Sequence, residues 1–184
     1  LKNIGERFSN LIEKVRSEEF FHDRGLANDI PFYIFDYTPN QELEVREYVK
    51  NEFLPKLQSN ERLKVVEVDL YDLFIEHLKN VNIFENVFVM EEKKGTKILY
   101  EKLKKAFNME VILEYIEEKT EGKNMLIITG VGKIFPIVRT HAILNNLQTK
   151  FEGKVLLFFP GEYTTTDLRL FGIKENNYYR AFRI

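Results

Sequence analysis

Four short runs of nearly unbroken apolar residues, each separated from the next by helix-type patterning, constrain this chain more than any other feature. They fall at residues 32–35, 63–68, 125–129 and 154–159. Continuous hydrophobicity, rather than strict alternation, is the mark of parallel strands buried on both faces. Strands of that kind alternating with helices predict an α/β fold, a three-layer sandwich with a mainly parallel central sheet. Crossovers between its parallel neighbours are expected to be right-handed.

The intervening segments supply the helices. Ile4, Phe8, Leu11, Ile12 and Val15 recur at intervals of three and four, predicting a first helix that ends near Phe20 and Phe21. Thr38 and Pro39 read as a cap followed by proline at the first helical position. The helix they open, about 40–57, is expected to bury Leu43, Tyr48 or Val49, Phe53 and Leu57, with Pro55 kinking it or ending its regular part. Asp69 is the expected cap of a helix over 70–79 that buries Leu70, Leu73, Phe74 and Leu78. Residues 83–119 read as a helical insertion broken at Gly95 and Asn108. A further helix is expected from near Pro136 to near Thr149, and Pro160-Gly161 is expected to stop the fourth strand. Residues 167–171 and 178–184 read as short terminal strands with a turn at Gly172. No linker composition divides the chain, so residues 1–184 are predicted to form one domain.

Composition narrows the chemistry. The absence of cysteine excludes a disulfide framework, a thiolate nucleophile and any metal site built on cysteine, and three scattered histidines predict no metal centre. Charged residues interleave with apolar ones over 1–16, unlike a signal peptide, and no apolar run approaches the ~20 residues that span a bilayer. The expectation is a cytoplasmic protein with no membrane anchor. The net charge of -2 conceals an asymmetry. Residues 1–92 carry 11 basic and 19 acidic side chains, while residues 93–184 carry 16 basic and 10 acidic. Opposite-signed halves suit pairing by complementary fields. Direct nucleic-acid binding is not expected without a stronger basic excess.

Several motifs invite chemistry. Gly130-Val131-Gly132-Lys133 follows a buried strand, yet Ile127 stands where a phosphate loop needs its first glycine and Ile134 where it needs a hydroxyl. Phe135 likewise breaks a dinucleotide fingerprint. Two readings remain, a plain tight turn or a resting place for an anion. His141 and Asn145, four residues apart beyond Arg139, share one helical face and either brace neighbouring loops or face a ligand. Asp36 ends the first strand, where open α/β sheets hold their ligands, and is either a loop cap or a ligand contact. Asp36, Gly130, Gly132, Arg139, His141 and Asn145 thus form the candidate ligand rim. No nucleophile, base and acid set accompanies them, so no catalytic residue is assigned and no cofactor is expected. Arg169, between Leu168 and Leu170, and the Tyr178-Tyr179-Arg180 run are the candidate partner-binding residues, with a packed terminal strand as the other reading.

Several stretches in order carry a resemblance. They are 30–37 (IPFYIFDY), 68–72 (VDLYD), 129–132 (TGVG), and Phe135-Pro136 through Arg139, His141 and 144–147 (LNNL). The C-terminal ones are 159–161 (FPG), 168–172 (LRLFG) and 177–182 (NYYRAF). Together they resemble the BrxB family, a domain of unknown function found as a small component of BREX bacteriophage-defence systems. The resemblance implies an accessory or adaptor protein that works beside a DNA methyltransferase, an ATPase and a PglZ-type alkaline-phosphatase-like protein. Contact with the PglZ-type protein is the implied association, with other BREX components as further candidates. It transfers no catalytic residue. The competing expectation is a nucleotide-binding or hydrolytic enzyme using the rim around Asp36, Gly132 and His141.

Overall fold

The computed structural model describes residues 3–22, 32–147, 149–164, 167–171, 173–176 and 181–184. The first helix, α1 (Ile4–Arg16), starts where the Asn3 side chain accepts from the Gly5 N–H at 3.0 Å, and it buries Ile4, Phe8, Leu11 and Val15. It stops earlier than its periodicity predicts. Ser17 turns extended and its hydroxyl accepts from the Phe20 N–H, which caps a separate short helix, α2 (Glu18–His22).

Strand β1 (Phe32–Tyr37) is buried along its whole length. After it, a 3₁₀ turn (Pro39–Gln41) leads into α3 (Glu42–Tyr48), a π-helical turn (Val49–Phe53) and α4 (Leu54–Gln58). Pro55 lies in the first turn of α4, where its missing N–H costs little. This ladder buries Val45, Val49, Phe53 and Leu57. Leu43, expected in the core, is instead 73% exposed, because Val45 takes the inward position on α3.

Next come β2 (Val65–Asp69) and α5 (Leu70–Asn80), whose first turn is capped as expected by Asp69 accepting from the N–H groups of Tyr71 and Asp72. The segment that follows is helical: α6 (Phe84–Ala106), bent at Gly95 (φ 77°), and α7 (Met109–Lys119), capped by Asn108. Strand β3 (Met125–Thr129) is buried throughout. It runs directly into α8 (Val131–Ile134), and the helix expected from Pro136 is displaced: α9 spans Thr140–Leu147. Phe135 is extended, as the residue before a proline prefers, so the chain turns before it can re-enter a helix.

Strand β4 (Lys154–Tyr163) does not stop at Pro160-Gly161. Its first part lies between β1 and β3, and Gly161 carries it into an antiparallel pairing with β5 (Asp167–Leu170). A Cβ on Gly161 would meet the Arg169 carbonyl oxygen at 2.2 Å, so only glycine allows that approach. The partner of β5 is β6 (Ile173–Asn176), whose polar composition hides it in the sequence. The terminal strand, β7 (Ala181–Arg183), pairs with β1. Gly172, Tyr178, Tyr179 and Arg180 lie outside the described residues.

The result is a mixed α/β fold. Five parallel strands run in the order β2-β3-β4-β1-β7, and the antiparallel β5–β6 hairpin extends from β4. Alternate strand residues feed two separate cores. Tyr33, Phe35, Met125, Ile127, Leu156 and Phe158 pack with α1 to α4, while Ile34, Leu126, Ile128, Val155 and Leu157 pack with α5 to α9. The first core is rich in rings: Phe8 lies 4.9 Å from Phe35 and 5.8 Å from Phe158 between ring centres. Among the described residues no helix is long and apolar enough to cross a membrane.

Candidate functional site

The carboxyl ends of β1, β2 and β3 open onto a cavity of about 660 Å³. One wall is Tyr37 with α3 and the π-helical turn, and the other is formed by Glu67, Asp69, Asp72, Thr129 and Gly130. Strand register creates the second wall. Asp69 and Thr129 are direct partners, and the Thr129 hydroxyl donates to Glu67 at 2.7 Å. Gly130 then turns left-handed (φ 74°) against the Asp69 carboxylate. A Cβ there would meet Asp69 Oδ1 at 2.2 Å, so this turn belongs to glycine. Lys133, one turn into α8, reaches back to bond Asp69 and lies 3.9 Å from Asp72. The cation that a phosphate loop would aim at its ligand is here held by a carboxylate.

The charged residues of the lining are mostly acidic: Glu42, Glu47, Glu67, Asp69 and Asp72 against Arg46 and Lys50. Burial pushes the Tyr37 phenol far above its usual range, and the Glu42 carboxylate to which it donates at 2.6 Å raises it further. Glu67 is also pushed up from the usual carboxylate value, chiefly by desolvation. The Thr129 hydrogen bond opposes the shift, Asp69 and Asp72 add to it, and Lys133 offsets part of their effect. Such a lining repels anions and suits cations. Among the described residues no three histidine or acidic side chains converge to hold a metal ion.

The predicted rim is only partly assembled here. Gly130 lines the cavity. Asp36 is 2% exposed and engaged by protein groups: Arg7 Nη2 at 3.2 Å, the Tyr163 N–H at 3.2 Å and Arg183 Nε at 2.9 Å. It joins α1, β4 and β7 to β1. Gly132 sits on α8 against Pro160 and Phe171. Arg139 and Asn145 are exposed and His141 half-buried on or beside α9, and none of the three lines the cavity. Sequence reasoning passed over Tyr37, Glu42, Arg46 and Thr129. Glu67 carried a signal of its own, as the one charged residue between Val65 and Val68 of an apolar strand. Of the candidate partner residues, Arg169 is exposed on β5 while Leu168 and Leu170 turn inward.

Comparison with known proteins supplies the context. The family described as BREX protein BrxB matches residues 66–184. A BREX protein BrxB from Bacillus cereus (strain H3081.97) is 37% identical over 190 residues, covering 100% of this chain and 98% of that protein. Another from Escherichia coli O9:H4 (strain HS) is 32% identical over 182 residues, 97% of this chain and 90% of that protein. No solved structure matches. The family match covers more than half of the chain and both relatives match it nearly end to end, so the chain belongs to the BrxB family.

Proposed function

We propose that this chain is a non-catalytic accessory protein of a BREX phage-defence complex, acting in the cytoplasm as an adaptor that contacts a PglZ-type protein. End-to-end similarity to two BREX proteins named BrxB carries this reading. Its contact surface includes Arg169, which β5 presents outward on a buried Leu168 and Leu170 base, together with Tyr178, Tyr179 and Arg180. We read residues 1–184 as a single domain, a three-layer sandwich carrying a helical insertion at about 83–119. Co-purification from a host that carries the neighbouring defence genes tests the role. The PglZ-type protein is expected to copurify with this chain, and its absence would remove the main support for an adaptor.

A second reading, ligand binding or hydrolysis at the strand ends, draws on the 660 Å³ cavity. The acid excess in that cavity and the Lys133–Asp69 pair favour a cationic ligand over a nucleotide.

A further inference from the structure

Strand β2 is an edge of the sheet: among the described residues it pairs with β3 alone. The Lys64 carbonyl points to β3, where it accepts from the Met125 N–H at 3.4 Å. Backbone groups of successive strand residues point to opposite sides, so Val66 and Val68 also face β3. Val65 and Glu67 therefore turn their N–H and C=O groups outward, and Asp69 its N–H. Among the described residues these outward groups have no protein partner. An open row of this kind is a template for another strand.

Beside that edge runs a groove of about 210 Å³, bounded by β2, α5 and Lys119 of α7. Its charged lining is Glu67, Asp69, Asp72 and Glu76 against Lys119. Glu76 holds Lys119 at 3.1 Å, while Lys133 bonds Asp69 and lies 3.9 Å from Asp72. Four carboxylates thus share two ammonium groups, and the edge keeps an excess of acid.

We infer that β2 accepts an extended segment of a partner protein as an added strand, one carrying lysine or arginine at alternate positions. The outward backbone groups recur at every second residue, the spacing an extended chain meets one by one. Glu67 and Asp69 are also two apart and share one face of the sheet, so basic residues of the added strand at alternate positions stand beside them. A second copy suits the edge badly, because its own β2 would set these acids against themselves. A small cation would answer the carboxylates and leave the backbone row unmet. The edge is separate from the Arg169 surface, so this inference does not rest on the adaptor role.

The probe is a short peptide of alternating valine and lysine, titrated into the isotope-labelled chain. The amide signals of Val65 and Glu67 are expected to shift. The same peptide with glutamate in place of lysine is expected to leave them unmoved. A lysine peptide N-methylated along its hydrogen-bonding edge keeps its charge and is expected to bind about tenfold more weakly. Glu67→Lys is expected to weaken the unmethylated peptide by about tenfold, through charge. Val65→Pro removes an outward N–H and no bond to β3, and is expected to weaken it similarly. Circular dichroism confirms that both variants fold. Signals of β2 left unmoved by the lysine peptide overturn the inference. Equal binding of the N-methylated peptide overturns it in favour of a plain cation site. Concentration-dependent dimers of the chain alone, with the β2 amides protected from exchange, overturn it by giving the edge to a second copy.

Discussion

Arg183, in the terminal strand, grips Asp36 with a two-pronged contact: its Nε donates to Oδ1 at 2.9 Å and its Nη2 lies 2.8 Å from Oδ2. Paired hydrogen bonds of this geometry are among the stronger ones a side chain makes. Arg7 approaches the same carboxylate from α1, and its Nη1 also donates to the Asp36 carbonyl at 2.6 Å. The backbone N–H of Tyr163 completes the set. One buried acid thereby fastens α1 and β7 to β1 and β4 of the sheet.

Removing that acid strands two guanidinium groups and a buried N–H. Asp36→Ala is expected to lower stability by about 2 to 3 kcal/mol, because it leaves the buried Tyr163 N–H without its acceptor and removes the charged partner of both arginines. Arg183, 61% exposed, leaves Arg7 in place when deleted, so Arg183→Ala is expected to cost only about 1 kcal/mol. Urea denaturation midpoints of the two variants check the order. Equal losses would mean that Asp36 is not the hub.

Local chemistry explains which parts of this architecture could be read in advance. The runs at 32–35 and 125–129 announce buried strands because both faces of each are covered, and Asp69 and Asn108 announce helix starts because their side chains bond nearby N–H groups. Asp36 looked like a rim ligand because its partners lie 29, 127 and 147 residues away, beyond the reach of any local pattern. The same holds for the cavity. Gly130 was identifiable from the strand before it, but the opposing wall of Tyr37 and α3 depends on how the helix folds back. Pro160-Gly161 read as a stop because composition cannot distinguish the end of a strand from a strand changing partners.

Gly130 and Gly95 both have positive φ, but only one is crowded. Gly130→Ala is expected to cost about 2 to 3 kcal/mol, combining left-handed strain with disturbance of the Asp69 cap. Gly95→Ala has nothing within 4 Å of the added Cβ, but its backbone (φ 77°, ψ 165°) lies where essentially only glycine goes, so it should cost about 1 to 3 kcal/mol from strain alone. Thermal unfolding of the two variants side by side measures the difference.

The raised affinity of Glu67 for its proton has a signed consequence. Between the unfolded value, about 4.3, and its higher folded value, the folded chain binds more protons than the unfolded one. Stability from this group therefore falls as pH rises through that interval and stays lower above it. Glu67→Gln, which keeps an oxygen to accept from Thr129, is expected to raise stability at neutral pH and to flatten that fall. Denaturation midpoints from acid to neutral pH for both proteins decide it. A variant less stable at neutral pH would show that the ionised carboxylate is an asset.

Magnesium–ATP is expected to bind weakly or not at all. Lys133 is committed to Asp69, and the adjoining cavity carries more acid than base. Calorimetry of the purified chain with ATP and magnesium checks this. Low-micromolar binding that disappears with Gly132→Trp would establish a nucleotide site at the strand ends.

The adaptor role is tested most directly by titrating the purified PglZ-type protein into this chain and into two variants, Arg169→Glu and Asp72→Asn. Arg169 stands on the proposed contact surface and Asp72 on the cavity wall. The unaltered chain is expected to form a stable complex. Reversing Arg169 leaves a partner charge unpaired, at a cost of about 2 to 5 kcal/mol, so affinity should drop about 30-fold or more. Asp72→Asn should bind as the unaltered chain does, and melting temperatures should show both variants folded. No complex with the unaltered chain, or Arg169→Glu folding normally and binding undiminished, would contradict the account.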